Sequence, residues 1–184
     1  MVSGGIGNGA LSLSINDFAL FGLPHQFDID SATLEHTWKQ LQKQVHPDQF
    51  SAQGAADKRL AMQWSVRVNE AYQRLKHPVK RAAYLCELHG APVNAEHNTR
   101  MPSEFLIQQM QWREELEESV AAQQIEQLQS QVQQEKKLLL QQCAAALDHP
   151  SDYSLAAQKV RALMFIERFE HDLDNRLAHL DNIS

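Results

Sequence analysis

The tripeptide His46-Pro47-Asp48 places an imidazole and a carboxylate on either side of a proline. Histidine titrates near neutral pH, so this pair could serve as a general acid and base. An enzyme would also need a nucleophile, a second acid or a glycine-rich phosphate cradle close by. The sequence places none of these beside the pair, and we therefore predict that the chain is not an enzyme.

Two lysines precede the tripeptide at a spacing that suits binding. Lys39 and Lys43 are four residues apart and His46 follows three later, so a helix would project all three to one side. Lysines on a helix are usually only solvated, but here they align with a histidine and an aspartate at a proline turn. This pattern favours a docking edge for an acidic partner surface. In the simpler alternative, Pro47 only ends a helix and Asp48 only caps the next segment.

Other functional classes lack their residues. There are nine histidines and two cysteines, Cys86 and Cys143, but no HExxH or CxxC pattern, so we predict no metal site and no cofactor. The formal charge of −6 argues against nucleic-acid binding by the whole chain. The apolar runs are too short to span a membrane, no secretory signal is recognisable, and two cysteines suit a reducing compartment. We therefore expect a cytoplasmic protein.

The pattern of apolar residues and helix breakers predicts an all-α fold. Residues 1–14 are uncharged and aperiodic, so we treat them as a flexible extension or a tag remnant. A short helix at 17–22 precedes two long helices, 31–45 and 55–76, which form an antiparallel hairpin around the 46–54 loop. The apolar stripes predicted to pack in this hairpin are Leu34, Trp38, Leu41 and Val45, then Leu60, Trp64, Val68, Ala71, Tyr72 and Leu75.

The second half predicts a separate helical bundle. A connecting helix at 79–89 ends at Gly90, and a polar loop at 93–102 forms the boundary. Three helices follow, from a cap at Ser103 to about 121, on to 147, and from 154 to 180, which favours a three-helix bundle. We therefore predict domains at 15–79 and 103–184, joined by a linker helix and loop at 80–102.

The first half resembles a J-domain, the module that stimulates ATP hydrolysis by seventy-kilodalton heat-shock chaperones. The likeness rests on FGLP at 21–24, HPD at 46–48 and NxAYxxLxxP at 69–78. Two positions depart from the usual pattern: Val45 replaces a tyrosine, and Gln49 replaces a lysine. The resemblance implies that His46, Pro47, Asp48, Lys39 and Lys43 contact the chaperone.

The whole chain from about residue 15 resembles the HscB family, the J-type co-chaperones of iron–sulfur cluster assembly. RAAYLCELHG at 81–90 and FLIQQMQWREELEE at 105–118 carry this narrower likeness. It implies an HscA-type heat-shock chaperone and an iron–sulfur scaffold protein as partners. The chain would stimulate the chaperone ATPase and deliver the scaffold to the chaperone.

The helix beginning near residue 103 has two apolar faces. One, which contains Phe105, Trp112, Leu116 and Val120, can pack into the bundle. The second is apolar at Leu106, Ile107 and Met110 and acidic at Glu114 and Glu118. A three-helix core does not need this second face, so either another part of the chain covers it or a partner does.

The family resemblance implies that this second face binds the scaffold protein. The residues carried over are Leu106, Ile107, Met110, Gln111, Glu114, Glu118 and Phe165. Gln111 stands where an acidic residue is common, which removes one charge from the expected contact.

A structural role is the alternative to a co-chaperone. The glutamine-rich segment at 123–142 could pair with other chains as an oligomerisation helix. Its heptad register is not sustained, and the bundle explains the same apolar positions. We therefore predict a monomer.

Overall fold

The computed structural model describes residues 13–46, 48, 54–93, 101–148 and 151–181. This described part contains seven α-helices and no strand, which confirms the all-α prediction. The helices are α1 (Asp17–Leu20), α2 (Ser31–Val45), α3 (Ala55–Lys76), α4 (Pro78–Leu88), α5 (Ser103–Glu118), α6 (Ala122–Leu147) and α7 (Tyr153–Asp181). Among the described helices, none has a stretch that is long and apolar enough to cross a bilayer.

The chain divides into two compact units, Met1–Arg81 and Ala82–Ser184. The predicted domain limits at 15–79 and 103–184 stay predictions. Residues 1–12 of the predicted extension, and 94–100 of the predicted boundary loop, lie outside the described residues.

The first unit is built on the pairing of α2 with α3, and α1 packs against α3. Asp30 caps α2, since its carboxylate accepts hydrogen bonds from the backbone N–H groups of Ala32 (3.3 Å) and Thr33 (3.0 Å). These hydrogen bonds, together with one from the Thr33 hydroxyl, lower the pKa of Asp30. The capped helix then runs to Val45, the last residue before the pre-proline His46, whose backbone is extended.

The predicted stripe of α3 is correct except at its first position. Leu60 is exposed, whereas Ala61 is buried. Ala61, Val68 and Leu75 are spaced by seven residues, which is close to two helical turns, whereas Leu60 lies about 80° from Val68 around the helix. The seven-residue repeat, and not the larger side chain, therefore selects the residue that faces α2.

Helix α1 is tied to α3 by a buried carboxylate. The side chain of Asp17 is fully buried and forms ion pairs with Arg67 (2.7 Å) and Arg74 (2.9 Å). Arg67 also donates a hydrogen bond to the backbone carbonyl of Ile15 (2.6 Å). A buried charge needs such partners, so this pair of arginines fixes the start of the unit on α3.

The second unit is centred on the long pairing of α6 with α7. Its buried core residues include Ile125, Leu128, Val132, Leu139, Cys143, Val160, Leu163, Ile166, Phe169 and Leu173. Helix α4 ends as predicted, because Gly90 adopts a positive φ of 75° that suits the residue after a helix.

The join between α5 and α6 lies close to the predicted break but is formed differently. Helix α5 ends at Glu118, so Val120 is exposed and Ser119 is buried, and the prediction that Val120 packs into the bundle is wrong. Gln124 accepts hydrogen bonds from the backbone N–H groups of Val120 (2.9 Å) and Ala121 (3.1 Å), which starts α6 without glycine or proline. At the other end of α5, Ser103 is the first helical residue and Pro102 takes the predicted cap position.

Candidate functional site

The imidazole of His46 and the carboxylate of Asp48 lie together at the end of α2. His46 Nδ1 is 3.5 Å from Asp48 Oδ2, and the backbone N–H of Asp48 donates to the same Nδ1 at 3.3 Å. The acceptor role of Nδ1 places the proton of a neutral ring on Nε2. Both side chains are open to solvent, 58% exposed for His46 and 89% for Asp48. Pro47, between them, lies outside the described residues, as does Gln49.

This arrangement presents groups to another molecule more readily than it performs chemistry. The pair is exposed and makes no buried, water-excluded site, which acid–base catalysis at a fixed substrate would need. No group of three or more metal-ligating side chains occurs in the described parts of the chain.

The two lysines of the predicted docking edge are both exposed but differ in their partners. Lys39 Nζ lies 2.7 Å from Glu35 Oε1, one helical turn earlier. Hydrogen bonding and attraction to Glu35 raise the pKa of Lys39, and the same contact lowers the pKa of Glu35. Lys43 has no ion pair within the described residues. Lys43 therefore offers a freer cation than Lys39 beside His46.

Helix α2 is held on α3 by polar contacts that the sequence analysis did not assign. Asn69 Oδ1 accepts hydrogen bonds from Trp38 Nε1 (3.0 Å) and Gln42 Nε2 (2.6 Å). The rings of Trp38 and Tyr72 stack with centroids 4.6 Å apart. Asn69 and Tyr72 belong to the NxAYxxLxxP motif, so the motif itself was a signal for these contacts. Both residues hold the helix that ends at His46.

In the second unit, the second face of α5 is exposed. Leu106 is 42% exposed, Ile107 56% and Met110 70%. The polar residues predicted beside them are exposed as well: Gln111, Glu114 and Glu118. The six residues form one surface on α5, which we call the α5 outer face. Three uncovered apolar side chains on one helix face are typical of an interaction site.

Phe165 of α7 borders the α5 outer face through aromatic contacts. Its ring is half-buried and meets Phe105 edge-on, with centroids 6.0 Å apart. It stacks on Phe169 at 6.2 Å, and Phe169 in turn stacks on Trp112 at 5.9 Å. The guanidinium of Arg113, on α5, lies 5.5 Å from the Phe165 centroid. The sequence analysis missed Arg113, because its position relative to Phe165 depends on the packing of two helices.

The two cysteines are buried in the second unit and unsuited to binding metal or reacting. Burial raises the pKa of Cys86 to about 11 and that of Cys143 to about 12. Both are free thiols, and metal ligation needs the thiolate.

Comparison with known proteins gives one consistent result. The family described as the HSCB C-terminal oligomerisation domain matches residues 101–174. A protein of Paraburkholderia phymatum named co-chaperone protein HscB homolog is 46% identical over 174 residues, which cover 93% of this chain and 99% of that protein.

Solved structures agree with the sequence relatives. Chaperone HscB from Vibrio cholerae is 32% identical with a TM-score of 0.78, covering 90% of this chain and 99% of that one. The crystal structure of human co-chaperone protein HscB is 28% identical with a TM-score of 0.85, covering 91% of this chain and 84% of that one.

Proposed function

The chain belongs to the HscB family of co-chaperones, and from this premise we propose that it stimulates the ATPase of an HscA-type heat-shock chaperone and delivers an iron–sulfur scaffold protein to it. The chaperone would contact His46, Pro47, Asp48, Lys39 and Lys43, and the scaffold would contact the α5 outer face and Phe165. ATP hydrolysis would occur on the partner, so the chain alone should hydrolyse no ATP. We expect it to act in the cytoplasm.

The observation that carries the chaperone contact is the exposed pair of His46 and Asp48 at the end of α2. Nε2–H of the imidazole is available as a donor, and the carboxylate of Asp48 is available as an acceptor. Lys43 adds a positive charge that can steer an acidic partner surface towards the pair. The contacts of α2 with Asn69 and Tyr72 support the proposal, since they hold the presenting helix in place.

The scaffold contact rests on the exposed apolar residues of the α5 outer face. Burying Leu106, Ile107 and Met110 under a partner would remove apolar surface from water, the main favourable term in most protein association. Because both surfaces belong to one chain, a scaffold bound to one is held at high effective concentration near a chaperone bound to the other.

A steady-state ATPase assay with the purified chaperone tests the first contact. His46→Gln should abolish stimulation while leaving the thermal unfolding midpoint unchanged, because the side chain is exposed. His36→Gln is the matched control: it changes another exposed histidine of α2 and should stimulate as the wild type does. Full stimulation by His46→Gln would refute the proposal.

Calorimetry with the purified scaffold protein tests the second contact. Leu106→Ala combined with Met110→Ala should weaken scaffold binding by about tenfold or more, since buried apolar anchors carry much of an interface's energy. Stimulation of the chaperone in the absence of scaffold should stay in place. Leu138→Ala, which truncates an exposed leucine of α6, is the control and should bind normally. Equal affinity of the double variant would refute this contact.

The alternative is a role in helical oligomerisation, which the description of the matching C-terminal family favours. We propose a monomer, because α6 and α7 already bury their apolar residues against each other within the second unit. Light scattering of the full chain distinguishes the two: a single species near 20.9 kDa supports the monomer, and a stable dimer contradicts it.

A further inference from the structure

Arg113 is the only lysine or arginine of α5, a helix that also carries five glutamates. Its guanidinium lies 5.5 Å from the centroid of the Phe165 ring, within the range of a cation–π contact. The ring cannot move freely, because it packs against Phe105 and Phe169. The aromatic cluster therefore provides a fixed platform for a positive charge.

The guanidinium is not consumed by an ion pair among the described residues. Glu117 lies one helical turn after Arg113, the spacing at which a helical ion pair commonly forms, yet no such pair is present. A cation–π contact uses the face of the guanidinium and leaves the N–H groups at its edge available. Arg113 is exposed, so these donors can meet a group from outside.

Arg113 also lies beside the α5 outer face. On a helix, residues three and four apart are neighbours, so Arg113 is next to Met110 and close to the row that continues to Leu106. Phe165, on its other side, is itself one of the predicted scaffold contacts. The cation thus stands between the apolar centre of the face and the aromatic residue at its border.

We infer that Arg113 is a specificity residue of the scaffold-binding surface, which reads a carboxylate side chain of the partner placed next to the partner's apolar contact. This inference rests on the proposed scaffold-binding function. A guanidinium binds a carboxylate through two parallel hydrogen bonds, which fixes orientation as well as charge. The fixed position over Phe165 lowers the ordering cost that a long side chain normally bears on binding.

The inference also accounts for the mixture of charges around the α5 outer face. Glu114 and Glu118 would attract a basic group of the partner, whereas Arg113 would attract an acidic one. A partner with the opposite arrangement would place like charges together and bind poorly. The two signs therefore set the rotational register of the scaffold on the helix, which the apolar residues alone cannot do.

Calorimetric titration of the full chain with the purified scaffold protein, at low and high salt, tests the inference. Arg113→Gln should weaken binding on the order of fivefold to tenfold at low salt, and the difference from wild type should shrink at high salt because screening weakens charge contacts. Arg113→Lys keeps the charge but not the planar fork, so its loss should be smaller. Thermal unfolding should be unchanged in both, because the side chain is exposed.

The double variant Leu106→Ala with Met110→Ala separates this inference from the proposal beneath it. If the double variant weakens binding and Arg113→Gln does not, the face binds the scaffold but Arg113 reads nothing, and the inference is overturned. A loss in Arg113→Gln that is independent of salt would also overturn it, because it would mark a packing role on Phe165. If neither variant weakens binding, the scaffold surface itself is misplaced.

Discussion

Trp38 Nε1 donates a hydrogen bond to Asn69 Oδ1 across the α2–α3 hairpin, at 3.0 Å. The same oxygen accepts from Gln42 Nε2 at 2.6 Å, so one amide on α3 binds two successive turns of α2. The hydrogen bonds lie seven and three residues before Val45, the last residue of the helix. They therefore fix the rotation of α2 and, with it, the direction in which His46 leaves the hairpin.

Asn69→Ala should lower the free energy of unfolding by about 1 kcal/mol, because it leaves the Trp38 and Gln42 donors without their common acceptor. Urea denaturation of the full chain measures this change. Chaperone stimulation should fall in part but not vanish, since His46 remains present in a less ordered helix. Gln63→Ala, an exposed amide on the same helix, is the control. An unaltered urea midpoint for Asn69→Ala would show that the two hydrogen bonds contribute nothing.

Asp17→Ala should destabilise the first unit by about 3 kcal/mol or more. Removing the carboxylate leaves Arg67 and Arg74 facing each other without a counter-charge at a fully buried position. The urea midpoint measures the effect, and Glu70→Ala, an exposed carboxylate on α3, should shift it far less. A change of under 0.5 kcal/mol for Asp17→Ala would contradict the assigned clamp.

The sequence predicts most helix limits because local residues determine them. Pro47 and the pre-proline His46 end α2 at Val45, and Gly90 supplies the positive φ that ends α4. Chain termination by proline and glycine depends only on neighbouring backbone geometry, so it can be read without knowing the tertiary structure.

The features that escaped prediction depend on contacts between distant residues. Ala61 is buried in place of Leu60 because α2 selects one line along α3. The cation–π contact of Arg113 arises from the packing of α7 on α5, and the clamp on Asp17 joins residues 50 and 57 positions away. Periodicity locates a face of a helix, but it does not say which side chain of another helix meets that face.

Lys43 should contribute more than Lys39 to the proposed chaperone contact, because Glu35 already compensates the charge of Lys39. In ATPase assays at low salt, Lys43→Ala should raise the chain concentration for half-maximal stimulation by about threefold to tenfold, and Lys39→Ala by less.

Glu35→Gln provides the reciprocal test of the same two lysines. It removes the partner of Lys39 and should strengthen the interaction, and all three effects should diminish with added salt. Equal losses for Lys39→Ala and Lys43→Ala, with no gain in Glu35→Gln, would show that the ion pair is irrelevant to docking.

The two buried thiols give a prediction about pH. The pKa of Cys86 is raised from 9.0 to about 11 and that of Cys143 to about 12, mainly by burial. At pH 9, about half of each thiol would be ionised in the unfolded chain, but only about 1% or less in the folded one. Native protein should therefore react with iodoacetamide at pH 9 at least tenfold more slowly than protein in urea.

The same shifts carry a sign for stability. Between pH 9 and about 11, the unfolded chain releases thiol protons that the folded chain retains, so these cysteines' contribution to stability should fall as pH rises through that window. Comparing the urea midpoint at pH 8 and pH 10 for the wild type and for Cys143→Ala isolates the thiol contribution, because the variant should lose less stability between the two. Rapid alkylation of the native protein at pH 9, or an identical pH response in Cys143→Ala, would contradict the assigned burial of the thiols.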